Sequence, residues 1–368
     1  MQKIDQLKNW LYDNNIDVAY ISNPKNVHYF TGFESHPEER ILGLFVLKNA
    51  DPFLFTPQLD VEVAKASGFK YDVFGYLDHQ DPFALIADHI KDRQKENVSW
   101  ATEKDSLSVE KLEAMQEEFP NAQFKYSLTR FIQEMQLYKS QDELDLMIKA
   151  GQDADYAFQI GFNALRNGIS EKQVVAEIEY ALQKRGVMHT SFDTIVQAGK
   201  NASNPHGAPT DTQVEPNQLV LFDLGTVNQG YMSDASRTVA YGTPSEKELE
   251  IYQVVLEAQL AAQKAAKPGV YASELDKIAR DVITKAGYGE YFVHRLGHGI
   301  GTSTHEYPSL MEHNNLELKA GMAFSIEPGI YIPGVAGVRI EDCGYLDDEK
   351  FNSFTHTPKD LTEIMVRD

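Results

Sequence analysis

The sequence predicts two domains of different class: a small α/β domain over residues 1–127, then a larger α+β domain over residues 128–368 built on an internal duplication. Three observations predict it. Short apolar runs alternate with helical patterns up to about residue 125, the signature of strands layered against helices. Beyond that point the pattern turns helical and then delivers two strand hairpins about a hundred residues apart, with helices between them. Each hairpin carries two acids, Asp223 with Asp234 and Glu327 with Glu341, and a pseudo-two-fold axis would bring the four together.

In chain order, strands are expected at 18–21, 42–47, 52–56, 71–74 and 124–126, and helices at 2–14, 59–66, 82–94 and 108–118. No glycine-rich phosphate loop follows any of these strands, which disfavours a nucleotide site. Residues 32–40, GFESHPEER, form a charged loop carrying His36; it is either solvated surface or a lid that completes a neighbouring site. Ser140 caps a helix with acids in its first turn, and Ser170 with Gln173 three residues on caps the next. The turn-rich stretch NASNPHGAPT then presents His206. After the first hairpin come helices at 245–267, stopped by Pro268-Gly269, and at 272–287. The run HRLGHGIG carries His294, Arg295 and His298, with His305 just beyond, and the second hairpin follows.

A turn at Asn228-Gln229 would set Asp223 directly opposite Asp234, and a turn centred on Gly334 sets Glu327 opposite Glu341. Like charges facing each other across a sheet are destabilising, so something must compensate them. Four carboxylates with one or two histidines and no thiolate make an oxygen-rich set that suits manganese, cobalt or zinc. Two such ions about 3.5–4 Å apart can hold a hydroxide and polarise a carbonyl, which is metal-assisted hydrolysis. His298 is the best histidine ligand. His294 shares its i, i+4 spacing, but the surrounding glycines make a helix poor there, so a loop or strand is expected. His206 and His305 are placed to steer protons or hold a substrate carbonyl. Arg295 is read as a binder of a substrate carboxylate, and Arg339 as orienting either a carboxylate ligand or substrate.

Composition bounds the partners. A formal net charge of −21 disfavours nucleic acid and anionic membrane. The single cysteine, Cys343, excludes an intrachain disulfide, fits a reducing compartment, and is expected to be a buried thiol. The amphipathic start lacks a signal peptide's apolar core, and no stretch reaches roughly 18 apolar residues, so a cytoplasmic protein is expected.

The motifs FDLG with Asp223, YMSDASRT with Asp234, LGHGIG with His298, SIEPGIY with Glu327 and VRIEDC with Glu341 resemble the five ligand motifs of the pita-bread metallopeptidases. That family includes methionine aminopeptidase, aminopeptidase P, prolidase and the metal-free creatinase. The resemblance implies two divalent ions, most often manganese: Asp223 and Asp234 would hold one, His298 and Glu327 the other, with Asp234 and Glu341 bridging. It further implies that Glu327 carries a proton to the leaving amine, that His206, His294 and His305 contact substrate or transition state, and that the chain forms a homodimer. The added α/β domain is similar to that of prolidases and aminopeptidases P. The compact length and short amino-terminal domain are more similar to bacterial prolidase, a resemblance that implies cleavage of Xaa-Pro dipeptides, with Arg295 or His36 of the 32–40 loop meeting the free carboxylate. Aminopeptidase P activity on longer peptides, a non-catalytic role and a creatinase-like metal-free reaction are the alternatives.

Overall fold

The computed structural model describes residues 3–95 and 97–367. The chain divides into two compact units between Met135 and Gln136.

The first unit is built on six strands in the order Asp72–Tyr76, Phe53–Pro57, Gly43–Leu47, Val18–Ile21, Ser99–Thr102, Gln123–Ser127. Only Gly43–Leu47 runs against the rest. Alternate residues of each central strand enter two separate cores: Ala19, Ile21, Leu44, Val46 and Leu54 on one face, Val18, Tyr20, Phe45, Phe53 and Phe55 on the other. Burial on both faces explains why these strands read as unbroken apolar runs. Helices Lys3–Asp13, Pro24–Thr31 and Val61–Ala66 cover the first face, and Pro82–Arg93 and Val109–Glu118 the second. Leu128 and Ile132, beside and within Thr129–Gln136, are buried in the first of these cores.

Two elements lie outside the expected set. Ser99–Thr102 is a four-residue strand with polar ends, too short to show a period. Pro24–Thr31 is a short helix specified at its start, where Pro24 occupies the first turn and the Asn23 side chain accepts from the Lys25 amide.

The second unit contains a nine-stranded sheet flanked by two helix pairs, Gln141–Ala164 with Glu171–Lys184 and Glu246–Ala265 with Ala272–Lys285. The first pair precedes Ile195–Ala198, Gln218–Leu224 and Ala235–Tyr241; the second precedes Gly297–Gly299, Ala323–Ile326 and Glu341–Leu346. Ala235–Tyr241 and Glu341–Leu346 meet antiparallel at the centre, with Ser236 opposite Glu341. That contact is where the two halves join. Each half has its own apolar core under its helix pair, where every fully buried Leu, Ile or Phe contributes roughly 1.5–3 kcal/mol.

Behind the junction lies a buried ion network. Arg237, 1% exposed, donates to Asp342 Oδ1 at 2.6 Å and to the carbonyls of Ser236, Glu341 and Thr357. Lys359 also pairs with Asp342. Burial opposes ionisation of Asp342, but Arg237 and Lys359 outweigh it and hold its carboxyl at about 2. A folded value below the unfolded one means that this pair stabilises the protein above about pH 4 and loses its contribution as pH falls towards 2. Arg237→Ala strands Asp342 and is expected to lower stability by about 3–5 kcal/mol, read as a drop in the urea midpoint at neutral pH that narrows towards pH 3.

Candidate metal centre

Asp223 lies at the end of Gln218–Leu224, where Val220, Phe222 and Leu224 enter the first half's core and leave Asp223 on the opposite face. The first hairpin does not turn at Asn228-Gln229. Gln229 and Gly230 both have positive φ, 47° and 80°, and form the turn between Val227–Asn228 and Tyr231–Met232. A two-residue hairpin turn of the primed kind needs that conformation at both central positions, and glycine adopts it freely. Moving the turn by one residue moves the register by two, so Asp223 pairs with Ser236 instead of Asp234. Asp234 keeps the same side as Ser236 and stands diagonally from Asp223.

The second hairpin follows the expected register. Gly329–Ile332 pairs with Ala336–Arg339 about Gly334, and the same register continues where Ile326 pairs with Asp342, which sets Glu327 beside Glu341.

His298 sits on the short strand Gly297–Gly299, at a bulge against Glu306–Leu310. A Cβ on Gly297 would lie 2.0 Å from the Ser325 carbonyl oxygen, so glycine is required for this close approach. His298 Nδ1 is 3.0 Å from the Gly299 carbonyl, which only accepts, so Nδ1 carries the proton and a neutral ring offers the Nε2 lone pair. Nε2 lies 3.1 Å from Glu327 Oε1 and 3.6 Å from Asp234 Oδ2. Such contacts need a proton or a cation between the atoms.

Donor atoms of Asp234, His298 and Glu341 lie within 4.8 Å of one another, all three residues being buried. Asp223 Oδ1, Asp234 Oδ1 and Glu341 Oε1 are buried without a hydrogen-bond partner. Three orphaned carboxylate oxygens beside an imidazole lone pair fit a divalent cation, since buried anionic oxygens otherwise carry a heavy desolvation penalty. Burial, then the neighbouring acids, pushes Asp234 and Glu341 well above the carboxylate range. Burial opposes ionisation of Glu327 as well, but while His298 is an imidazolium its bond and charge, with His294 and Arg339, hold Glu327 at about 2. The cluster therefore supports only part of its negative charge by itself.

Arg339, 3% exposed, lies beneath the acids. It donates to Asp223 Oδ2 at 2.6 Å, Ser236 Oγ at 2.8 Å and the Tyr331 hydroxyl at 2.8 Å. Ser236 in turn donates to Glu341 Oε2 at 2.7 Å. One guanidinium thus orients acids from both halves. Tyr331 also meets His294 Nε2 at 2.9 Å, and His294 Nδ1 lies 2.8 Å from the Arg295 carbonyl. Burial lowers the His294 pKa.

Arg295 is half-buried and donates to Ser309 Oγ at 2.8 Å; it has no acidic partner among the described residues. His305 stands edge-on to His298 with ring centroids 4.2 Å apart, and partial desolvation, then His298 and Arg295, lowers it to about 4. His206 is exposed on its loop. The fully buried Glu171 fastens that loop at both ends, accepting from Ala198 N and Asn201 on one oxygen and from Thr210 N and Oγ1 on the other. His36 is exposed on the 32–40 loop of the first unit.

Ser236, Ser325, Tyr331 and Glu171 were not singled out from the sequence. Ser236 and Ser325 had a readable signal, a two-residue spacing from Asp234 and from Glu327 on a strand.

The profile described as metallopeptidase family M24 matches residues 145–348, more than half of the chain. The chain belongs to metallopeptidase family M24. Residues 3–135 match the creatinase/prolidase N-terminal domain, so this M24 protein pairs that domain with a pita-bread unit. It is 58% identical to the Xaa-Pro dipeptidase of Lactobacillus helveticus over 99% of this chain and 100% of that one. Among solved structures it resembles an Xaa-Pro dipeptidase from Bacillus anthracis, with TM-score 0.90, 34% identity and 99% of each chain covered. An X-Pro aminopeptidase from Thermotoga maritima superposes with TM-score 0.89 at 29% identity, covering 99% of this chain and 100% of that one.

Proposed function

We propose that this M24 protein is an Xaa-Pro dipeptidase that works with two divalent ions, manganese foremost, held by Asp223, Asp234, His298, Glu327 and Glu341. The end-to-end similarity to the Lactobacillus helveticus dipeptidase carries the substrate assignment. The three orphaned carboxylate oxygens support the metal. Asp223, Asp234, His298, Glu327 and Glu341 would hold the cations, which when bound would supply water activation and carbonyl polarisation.

The protein's own groups do the rest. Ser325 accepts from the His298 amide and donates to Glu327 Oε1, which fixes that oxygen and leaves Oε2 to take a proton and pass it to the leaving prolyl nitrogen. His305, held neutral at pH 7 by its lowered pKa, and His206 supply hydrogen bonds to the substrate carbonyl as charge develops. His294 supports the same substrate from beside Arg295, and Arg339 keeps Asp223 oriented towards it. An Xaa-Pro bond has no N–H to recognise, so affinity must come from the ring and the free carboxylate. We assign that carboxylate to Arg295, which lacks an acidic partner among the described residues, with His36 on its exposed loop as the alternative. Arg295→Met is expected to raise KM for a dipeptide about 10- to 100-fold with little change in kcat, because a hydrogen bond to a charged group contributes about 1.5–3 kcal/mol. We further place the protein in the cytoplasm as a homodimer, where the single buried Cys343 remains a thiol; sedimentation tests the assembly.

The deciding experiment compares leucyl-proline with the same dipeptide extended by one residue after proline, using manganese-loaded protein and a chelated control. Chelator-sensitive cleavage of the dipeptide alone supports the assignment. Cleavage chiefly of the tripeptide moves it to aminopeptidase P, the reading favoured by the likeness to the Thermotoga maritima structure. Cleavage of neither, or cleavage indifferent to chelation, sinks the metal-dependent dipeptidase.

A further inference from the structure

Residues 292–296 run in neither helix nor strand between Gly289–Tyr291 and Gly297–Gly299, and they carry both His294 and Arg295. Backbone groups without a ladder need other partners to hold one conformation. Here one ion pair on the helix Ala272–Lys285 supplies them. Asp276, 1% exposed, binds Arg280 in a two-pronged pair, Oδ1 to Nη2 and Oδ2 to Nε, both at 2.9 Å. Arg280 donates onward to the carbonyls of Phe292 at 3.0 Å and His294 at 2.9 Å, and its guanidinium lies 4.2 Å over the Phe292 ring. Asp276 Oδ1 also accepts from the Leu296 amide at 3.0 Å. The backbone is thereby gripped on both sides of Arg295, while among the described residues its side chain bonds only Ser309.

We propose that Asp276 and Arg280 are positioning residues for recognition of the substrate carboxylate: they set the backbone from which Arg295 reaches it. The inference rests on the assignment of Arg295 made above. A planar fork that meets two carbonyls and a carboxylate at once defines an orientation that a lysine ammonium does not reproduce. Among the described residues the pair bonds to no acid of the metal centre, but the segment it grips also meets that centre where the Leu296 carbonyl accepts from the Glu327 amide at 2.8 Å, so the split between KM and kcat decides whether its effect falls on substrate affinity.

The test is a double-mutant cycle in the manganese-loaded full-length protein, with Arg280→Met, Arg295→Met and both together, read as KM and kcat for leucyl-proline. Arg280→Met is expected to raise KM about tenfold with kcat changed less than about twofold, and this effect is expected to vanish in the Arg295→Met background. Asp276→Asn provides the same reading if Arg280→Met does not fold. A rise in KM from Arg295→Met but none from Arg280→Met and Asp276→Asn overturns the positioning role and leaves the Arg295 assignment standing. An Arg280→Met effect that persists undiminished beside Arg295→Met marks a general structural role and also overturns it. No change from Arg295→Met overturns the carboxylate assignment, and the proposal with it.

Discussion

Asp234→Asn is expected to lower kcat by about a thousandfold and, in the metal-free protein, to raise the thermal midpoint. The two effects have opposite sign because the acid serves the cation and burdens the fold. Asp234 is buried, its Oδ1 has no partner, and Glu341, Asp223 and Glu327 all oppose its ionisation. Removing one charge relieves that repulsion, whereas loss of a ligand removes several kcal/mol of transition-state stabilisation, and about 4 kcal/mol is a thousandfold in rate. Titrating manganese into each protein and following its melting separates the two effects: the parent gains stability by mass action and the variant gains little. A metal-free midpoint that falls, together with unchanged manganese uptake, would sink the reading of this cluster as a cation site.

Arg339→Met is expected to lower stability by about 3–5 kcal/mol and kcat by about 10- to 100-fold. The side chain is buried, and its loss leaves Asp223 Oδ2 as unpaired as Oδ1 already is. It also frees Tyr331 and Ser236, so Glu341 loses the group that orients its own hydrogen-bond donor. Arg339→Lys recovers little, because an ammonium does not reach three partners in one plane. Adding Asp223→Asn to Arg339→Met should restore part of the stability and none of the activity, since it removes the stranded charge but also a ligand. Urea midpoints and steady-state kinetics on the four proteins check this; a double variant no more stable than Arg339→Met would contradict the charge argument.

Much of the fold was legible because its signals are local. Ser140 with Glu143, Ser170 with Gln173 and Ser245 with Glu248 all form reciprocal caps in the structure, and each helix begins where its cap stands. Val18–Ile21, Gly43–Leu47 and Phe53–Pro57 were readable as apolar runs because both of their faces are buried. Ser99–Thr102 was not, since four residues with polar ends carry no period and become a strand only by pairing with Val18–Ile21 and Gln123–Ser127.

The sequence by itself determined where the candidate ligands lie: two pairs of acids, a histidine among glycines, and a symmetrical spacing that brings the two hairpins together. Tertiary structure alone decided how they face one another. The first hairpin turns at Gln229-Gly230, not one residue earlier, so Ser236 and not Asp234 stands across from Asp223. It also decided that Arg339 binds acids of both halves, that Glu171 anchors the His206 loop, and that Asp276 and Arg280 grip the backbone around Arg295. These contacts join residues far apart in the chain and often unlike in their surroundings. A local pattern records the face a residue presents, but its partner there is set only when the two halves close on a common core.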